Sequence, residues 1–325
     1  MSVVRDAVVV GAGWSGLKAA TELSEAGFDV LVLEKSRGPG GRSATRRADG
    51  ARFDHGAQYF TARSAAFGRR LQQWRDSGLV QAWRPRLAVL GDRDKHHDPE
   101  ETLRFVAVPG MNAVCKHLAE PLDCRYEIRV AELQCDESWR LTLADGEVIE
   151  ARRLVLTAPP AQAAALLGST DPLHDRLAAV AFAPCITAML SFDEPFDPGF
   201  DAAFVNVDCP LSWVACNSTK PGRNGHDWVL HATATWSHDH LEQDFDVLAD
   251  RLADAFSWIV DRSLPATRVR TAHRWRYAQA LEPANEGAIV DADRRLAIAG
   301  DWLAGSRIEG AWTSGRKAGQ AIAGI

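Results

Sequence analysis

The stretch Asp6-Ala-Val-Val-Val10-Gly11-Ala-Gly13-Trp-Ser15-Gly16 and the eighteen residues after it decide the fold. Four apolar residues stopped by glycine suit a strand buried on both faces of a parallel sheet. The periodic set Leu17, Ala20, Leu23, Ser24 and Ala26 predicts an amphipathic helix ending at Gly27, and Phe28 to Leu33 predicts a second strand. Strand, glycine turn, helix and strand make one βαβ unit. In it Gly11 permits the tight turn, Gly13 lets backbone N–H groups approach a pyrophosphate, and Gly16 lets helix and strand pack closely. The helix N-terminus, with Ser15 beside it, faces the anion. Glu34 ends the second strand 18 residues past Gly16, where a carboxylate accepts from both hydroxyls of a ribose. These residues call for a dinucleotide without saying which.

Length and composition leave room for that unit and a second one. With 325 residues and 46% hydrophobic content the chain can build one large domain or two unequal ones. Its formal charge of -6 arises from interspersed residues, 37 basic and 43 acidic, so no basic footprint for nucleic acid or a membrane surface is expected. Ala7 to Val10 is too short for a signal or spanning segment, and a cytoplasmic protein is expected. The six cysteines form no Cys-x-x-Cys pair and are read as reduced thiols, mostly buried. Lys95-His-His97-Asp98 has no third ligand at metal spacing and reads as a solvated hairpin tip, so no metal is expected.

The residues after the acid narrow the dinucleotide. Lys35-Ser-Arg-Gly-Pro-Gly40-Gly41-Arg42, a double glycine with arginine, resembles the second phosphate-binding loop of the FAD-dependent amine oxidase and desaturase superfamily. That resemblance places Arg42 at the FAD diphosphate. Phe53-Asp-His55-Gly56-Ala57-Gln58-Tyr59-Phe-Thr-Ala-Arg63 is similar to the segment that runs past the isoalloxazine ring in the renalase branch. Leu296-Ala-Ile-Ala-Gly300-Asp301-Trp302, followed by Ile308-Glu-Gly310-Ala311 and a helix to Ala323, resembles the flavoprotein closing motif. Asp301 at a strand end can accept from ribityl hydroxyls, and the helix starting near Gly310 aims its positive end at the flavin edge where charge builds on reduction. Pro109-Gly110-Met111 looks like the family's turn near the flavin, and Val130 sits where backbone groups usually meet adenine.

The resemblance implies an α/β chain of p-hydroxybenzoate hydroxylase-like architecture. A discontinuous Rossmann-type FAD-binding domain (1–61, 106–164 and 293–325) would carry a smaller α+β substrate domain (62–105 and 165–292) with a mixed or antiparallel sheet. Alternating runs at Cys185–Phe192, Ala203–Val207, Ser212–Asn217 and Trp228–Thr235 predict strands of that sheet, and Gln243 to Val260 predicts a helix. FAD is expected to be non-covalent, because the closing motif has no cysteine.

Two departures count against an ordinary amine oxidase: the chain is compact, and none of its six lysines falls in 262–300, where the family's lysine is expected. His273-Arg-Trp275-Arg-Tyr277-Ala instead resembles the renalase branch, whose members oxidise dihydronicotinamide isomers with the hydride at ring position 2 or 6. The resemblance therefore implies hydride transfer to flavin N5, release of NAD(P)+ and reoxidation by O2 to hydrogen peroxide. A dihydropyridine becomes aromatic on losing hydride, so a geometric clamp suffices without a base. Candidates for that clamp are Tyr59 and Gln58 around the ring, with Arg63, Trp275 and Tyr277 giving a flat wall and polar contacts to the carboxamide. Trp302 and Trp312 flank the closing motif, where core packing is the competing role, and His55 and His231 either orient substrate or are structural. An amine or carotenoid-type oxidoreductase and a non-catalytic FAD-binding protein remain the other two readings.

Overall fold

In the computed structural model, which describes residues 4–91 and 102–325, hydrogen bonding of the first apolar run sets up the central sheet. The Lys95 to Asp98 stretch lies outside the described residues. Ala7–Val10 pairs in parallel with Val30–Glu34 on one side and with Leu154–Leu156 on the other. Asp123–Tyr126 extends the sheet beyond Val30–Glu34, and Leu296–Ile298 and then Ile289–Asp291 extend it beyond Leu154–Leu156, the last strand antiparallel. Ala7, Val8 and Val9 are fully buried, as an apolar run covered on both faces must be. The second strand begins at Val30 rather than Phe28, because Gly27 adopts a φ of 88° and the Phe28 amide turns back to Leu23 O.

One face of the sheet is covered by two helices in backbone contact, Trp14–Glu25 and the closing helix Ile308–Ala323. A Cβ on Gly315 would lie 2.1 Å from Ser15 O, and one on Gly319 would lie 2.8 Å from Ala19 O. Only residues without side chains permit that approach. On the other face, Val130–Cys135, Trp139–Leu143 and Val148–Ala151 form a three-stranded antiparallel sheet whose Trp139 and Leu141 pack over Leu31, Leu33 and Leu156.

The second large sheet runs in the order Thr267–Ala280, Phe182–Phe192, Asp227–Ala232, Leu211–Cys216, Ala202–Asn206, Leu87–Gly91. All neighbours are antiparallel except the last pair. Helix Phe245–Val260 covers one face through Leu248, Leu252 and Phe256; it starts two residues later than expected because the Asp244 carboxylate caps it, accepting from the Asp246 amide. The register sets Trp213 opposite His231, His231 opposite Thr187 and Thr187 opposite His273, so one row of side chains crosses four strands on the other face.

Within residues 62–105, helix Ala65–Asp76 inserts Phe67, Leu71 and Trp74 against Trp14 and Trp312, while Leu87–Gly91 joins the second sheet. The cysteines are free thiols as expected, yet only Cys115 is buried and the other five are partly exposed.

Glycine contacts separate two roles. A Cβ on Gly16 would fall 1.9 Å from Gly11 O, whereas one on Gly13 meets nothing within 4 Å. Gly16→Ala and Gly315→Ala are each expected to destabilise the protein by about 1–3 kcal/mol or more, as overpacking does. Gly13→Ala should leave the midpoint of thermal unfolding of the ligand-free protein unchanged; equal losses at all three positions would contradict this division.

Candidate active site

Between the two sheets lies a cleft of about 2110 Å³, more than twice the upper end of the roughly 300–1,000 Å³ that holds a drug-sized ligand. It suits a dinucleotide with a second molecule beside it. Its walls bring together the expected Gly11, Gly13, Ser15, Glu34, Lys35, Gly41, Arg42, His55, Gly56, Ala57, Tyr59, Arg63, Val130, Trp275, Tyr277, Gly300, Asp301, Ile308 and Ala311. Gly16, Gln58 and Gly310 do not line it. The two glycines serve close packing, Gly310 against the Ala304 carbonyl, and Gln58 is turned inward.

At the nucleotide end the Glu34 carboxylate is aimed by the backbone. Its Oε2 accepts from the Ala12 amide at 2.8 Å and its Oε1 from the Ser36 amide at 2.8 Å. Each oxygen keeps a lone pair for a sugar hydroxyl. Space lies open above Gly13, and Gly41 packs on Gly13 at a φ of 53°, so both glycine turns border one cradle. Arg42 reaches across it to Asp301 with both Nη atoms and donates to the Ala278 carbonyl. Thus the second loop and the closing motif, 259 residues apart, meet in one bidentate pair. These residues fit FAD: a carboxylate for ribose, bare backbone and arginine for the diphosphate, and a helix N-terminus beyond.

At the other end the wall is aromatic and carries neutral histidines. His55, His231 and His273 cluster around Trp275, with His55 4.8 Å from both the His273 and Trp275 rings. Burial pushes His55 down to about 3 and His231 and His273 down to about 4, helped by Arg46, Arg274 and Lys220 nearby. Trp275 offers its ring face to the cleft, its indole N–H donating to the His55 carbonyl at 3.0 Å. Tyr59 packs on Trp213 and Trp83, and Tyr277 on Phe182. Trp312 is core, its ring 5.5 Å from Phe67, whereas Trp302 borders the cleft. Among the described residues no cluster of metal-binding type occurs, and no helix is long and apolar enough to cross a membrane.

Behind the wall sits a group that sequence reading missed. Asp54 is fully buried; its Oδ1 accepts from Thr45 Oγ1 at 2.7 Å and the Met111 amide at 2.9 Å, and its Oδ2 from Arg223 at 2.6 and 3.1 Å. Lys220, also fully buried, stands 3.7 Å away. Lys220 lies outside 262–300, where the family's lysine is expected, and nothing local in the sequence marks residue 220 as interior.

The depressed histidines set a pH dependence with a definite sign. Between the folded values of about 3 to 4 and the ordinary value of 6.5 the unfolded chain binds more protons, so stability falls as pH drops through this window. Each histidine contributes up to about 1.4 kcal/mol per pH unit. Urea unfolding at pH 7 and pH 4.5 should show the loss, and His55→Asn should make it shallower; an unchanged slope in the variant would contradict the assignment.

Comparison with known proteins agrees with this geometry. A profile for NAD(P)-binding Rossmann-like domains matches residues 9–74, and one for flavin-containing amine oxidoreductases matches residues 69–323. The zeta-carotene-forming phytoene desaturase of Myxococcus xanthus is 43% identical over 76 residues, 22% of this chain and 15% of that protein. The methyl acetate-forming acetone monooxygenase of Gordonia sp. (strain TY-5) is 30% identical over 153 residues, 46% of this chain and 24% of that protein. The matches thus span less than a quarter of either relative's length. Putrescine oxidase with putrescine bound superposes over 100% of both chains with a TM-score of 0.78 at 15% identity, a likeness of fold. With one profile covering most of its length, the chain belongs to the flavin-containing amine oxidoreductase family, and FAD is its cofactor.

Proposed function

We propose that this protein is an oxidase of dihydronicotinamide dinucleotide isomers, taking hydride from the 2- or 6-dihydro forms of NAD(P) and passing the electrons to O2 as hydrogen peroxide. The observation that carries this reading is charge. Although the chain is net negative, eleven lysines and arginines line the cleft against two acids, Glu34 and Asp301. The FAD diphosphate accounts for those near the glycine turns. Among the described residues the guanidinium groups of Arg46, Arg47, Arg63 and Arg307 form no ion pair, although the Arg63 amide donates to the Glu309 carboxylate at 2.8 Å. A cationic amine would meet like charge there, and a carotenoid hydrocarbon would meet an arginine rim; a second pyrophosphate would be attracted.

The chemistry fits the same wall. When bound, FAD supplies the hydride acceptor at N5. What remains for the chain is to hold a flat ring in place, and Trp275 and Tyr59 present flat faces to the cleft, Tyr59 backed by Trp213. Burial leaves the histidines neutral and weakly basic at neutral pH, and a dihydropyridine needs no proton acceptor. The amine reading rests on family membership and on the fold of putrescine oxidase.

Anaerobic mixing of the yellow holoprotein with 2- and 6-dihydro-NAD(P) and with a panel of amines separates the readings. Rapid bleaching by the isomers alone is expected, with an apparent Kd that rises with salt. Bleaching by an amine and by no isomer would overturn the proposal.

Arg46→Ala tests the charge directly. Losing one charge-assisted contact should weaken isomer binding by about tenfold or more while FAD retention stays the same. Unchanged isomer affinity would remove Arg46 from the substrate site.

A further inference from the structure

Lys220 has no contact with the cleft, yet it anchors a chain of side chains that ends on the cleft wall. Its ammonium has no carboxylate within hydrogen-bond distance, since Asp54 Oδ2 is taken by Arg223. Instead it donates to two amide oxygens, Gln58 Oε1 and Asn217 Oδ1, both at 3.1 Å. The orientation of each amide is set from both ends. Asn217 Nδ2 donates to the Arg52 carbonyl at 2.7 Å, and Gln58 Nε2 donates to the Asp54 and Gly56 carbonyls. Turning the Gln58 amide over would set its oxygen against two carbonyls and its nitrogen against an ammonium.

The fixed Gln58 nitrogen then faces His231 Nε2 at 3.3 Å. An amide nitrogen donates and does not accept. The contact is favourable only where His231 Nε2 is bare, which puts the ring hydrogen on Nδ1. His231 lines the cleft. We propose that Lys220, acting through Gln58, is a positioning residue that holds His231 on the cleft wall as the neutral Nδ1–H tautomer. The opposite tautomer would set N–H against N–H at Gln58. In the held form Nε2 is engaged by Gln58, so only the Nδ1–H donor is left to face other groups.

The groups facing this chain are Lys220, Asp54 and Arg223 behind it and His55, His273 and Arg46 in front. Long-range ¹H–¹⁵N spectra of histidine-labelled holoprotein, assigned with His231→Gln, read the tautomer without reference to any substrate. The expected wild-type pattern is a bare Nε2 and a protonated Nδ1, unchanged from pH 5.5 to 8. Lys220→Met should keep FAD and lose the single-tautomer pattern, with a new Nε2–H signal. Gln58→Glu replaces the donor facing His231 with an acceptor, so there Nε2 should become protonated. A wild-type spectrum with Nε2 protonated would overturn the proposal, as would Nε2 remaining bare in Gln58→Glu. Should Lys220→Met not fold, the wild-type and Gln58→Glu spectra decide. None of these outcomes depends on which donor reduces the flavin, so the proposal stands or falls apart from the reading of the substrate.

Discussion

A single buried carboxylate ties the cleft together. Asp54 receives hydrogen bonds from Thr45 in the hairpin after the second glycine loop, from Met111 in the turn of the nucleotide half, and from Arg223 in a loop of the second sheet. It is held well below the ordinary carboxylate range, burial being opposed by Lys220, Arg223 and the Met111 and Thr45 bonds. Three parts of the chain that are remote in sequence therefore depend on one anion. Breaking such a pair from one side leaves an uncompensated buried charge, the costliest change to a buried pair. The cofactor cradle and the aromatic wall keep their spacing because residues 51–58 are anchored behind the wall and exposed to the cleft in front.

The nucleotide half was legible because its signals are local. A four-residue apolar run, glycines at Gly11, Gly13 and Gly16 and an acid at Glu34 each act on their neighbours, and the first two strands pair in parallel as the βαβ unit requires. The loop at Gly40 and the strand before Gly300 were legible through their resemblance to the family's motifs. What sequence reading missed depends on partners far along the chain. The close helix contact at Gly315 and Gly319 needs Ser15 and Ala19 to be known as neighbours. Helix Ala65–Asp76 has an apolar stripe that fits either unit, and only Trp14 and Trp312 show which it covers. Gln58 lies in a segment that does border the cleft, but its amide turns inward to the Asp54 and Gly56 carbonyls and Lys220. Trp275 lines the cleft with its N–H engaged by the His55 carbonyl, a contact that spans 220 residues and leaves no local signal.

The charge of the cleft runs opposite to that of the whole molecule. A surface that is net acidic repels anions at long range, while a cleft lined with arginine attracts them within about a Debye length, roughly 8 Å at physiological salt. Attraction is thereby confined to the mouth of the site. Pairs such as Arg42 with Asp301 and Arg276 with Glu242 temper this field, and arginines without partners sustain it.

The row formed by Trp213, His231, Thr187 and His273 has a consequence for how this site can vary. It exists because four strands are in register, and side chains alternate faces with a period of two. An insertion of one residue within Phe182–Phe192 would turn half of that strand over, whereas a pair of inserted residues would preserve its parity. The glycine cradle obeys a different constraint, that of backbone conformation at fixed positions. Cofactor cradle and aromatic wall are thus specified in two different ways, one by turns near the chain ends and one by strand parity through the middle, joined behind by Asp54.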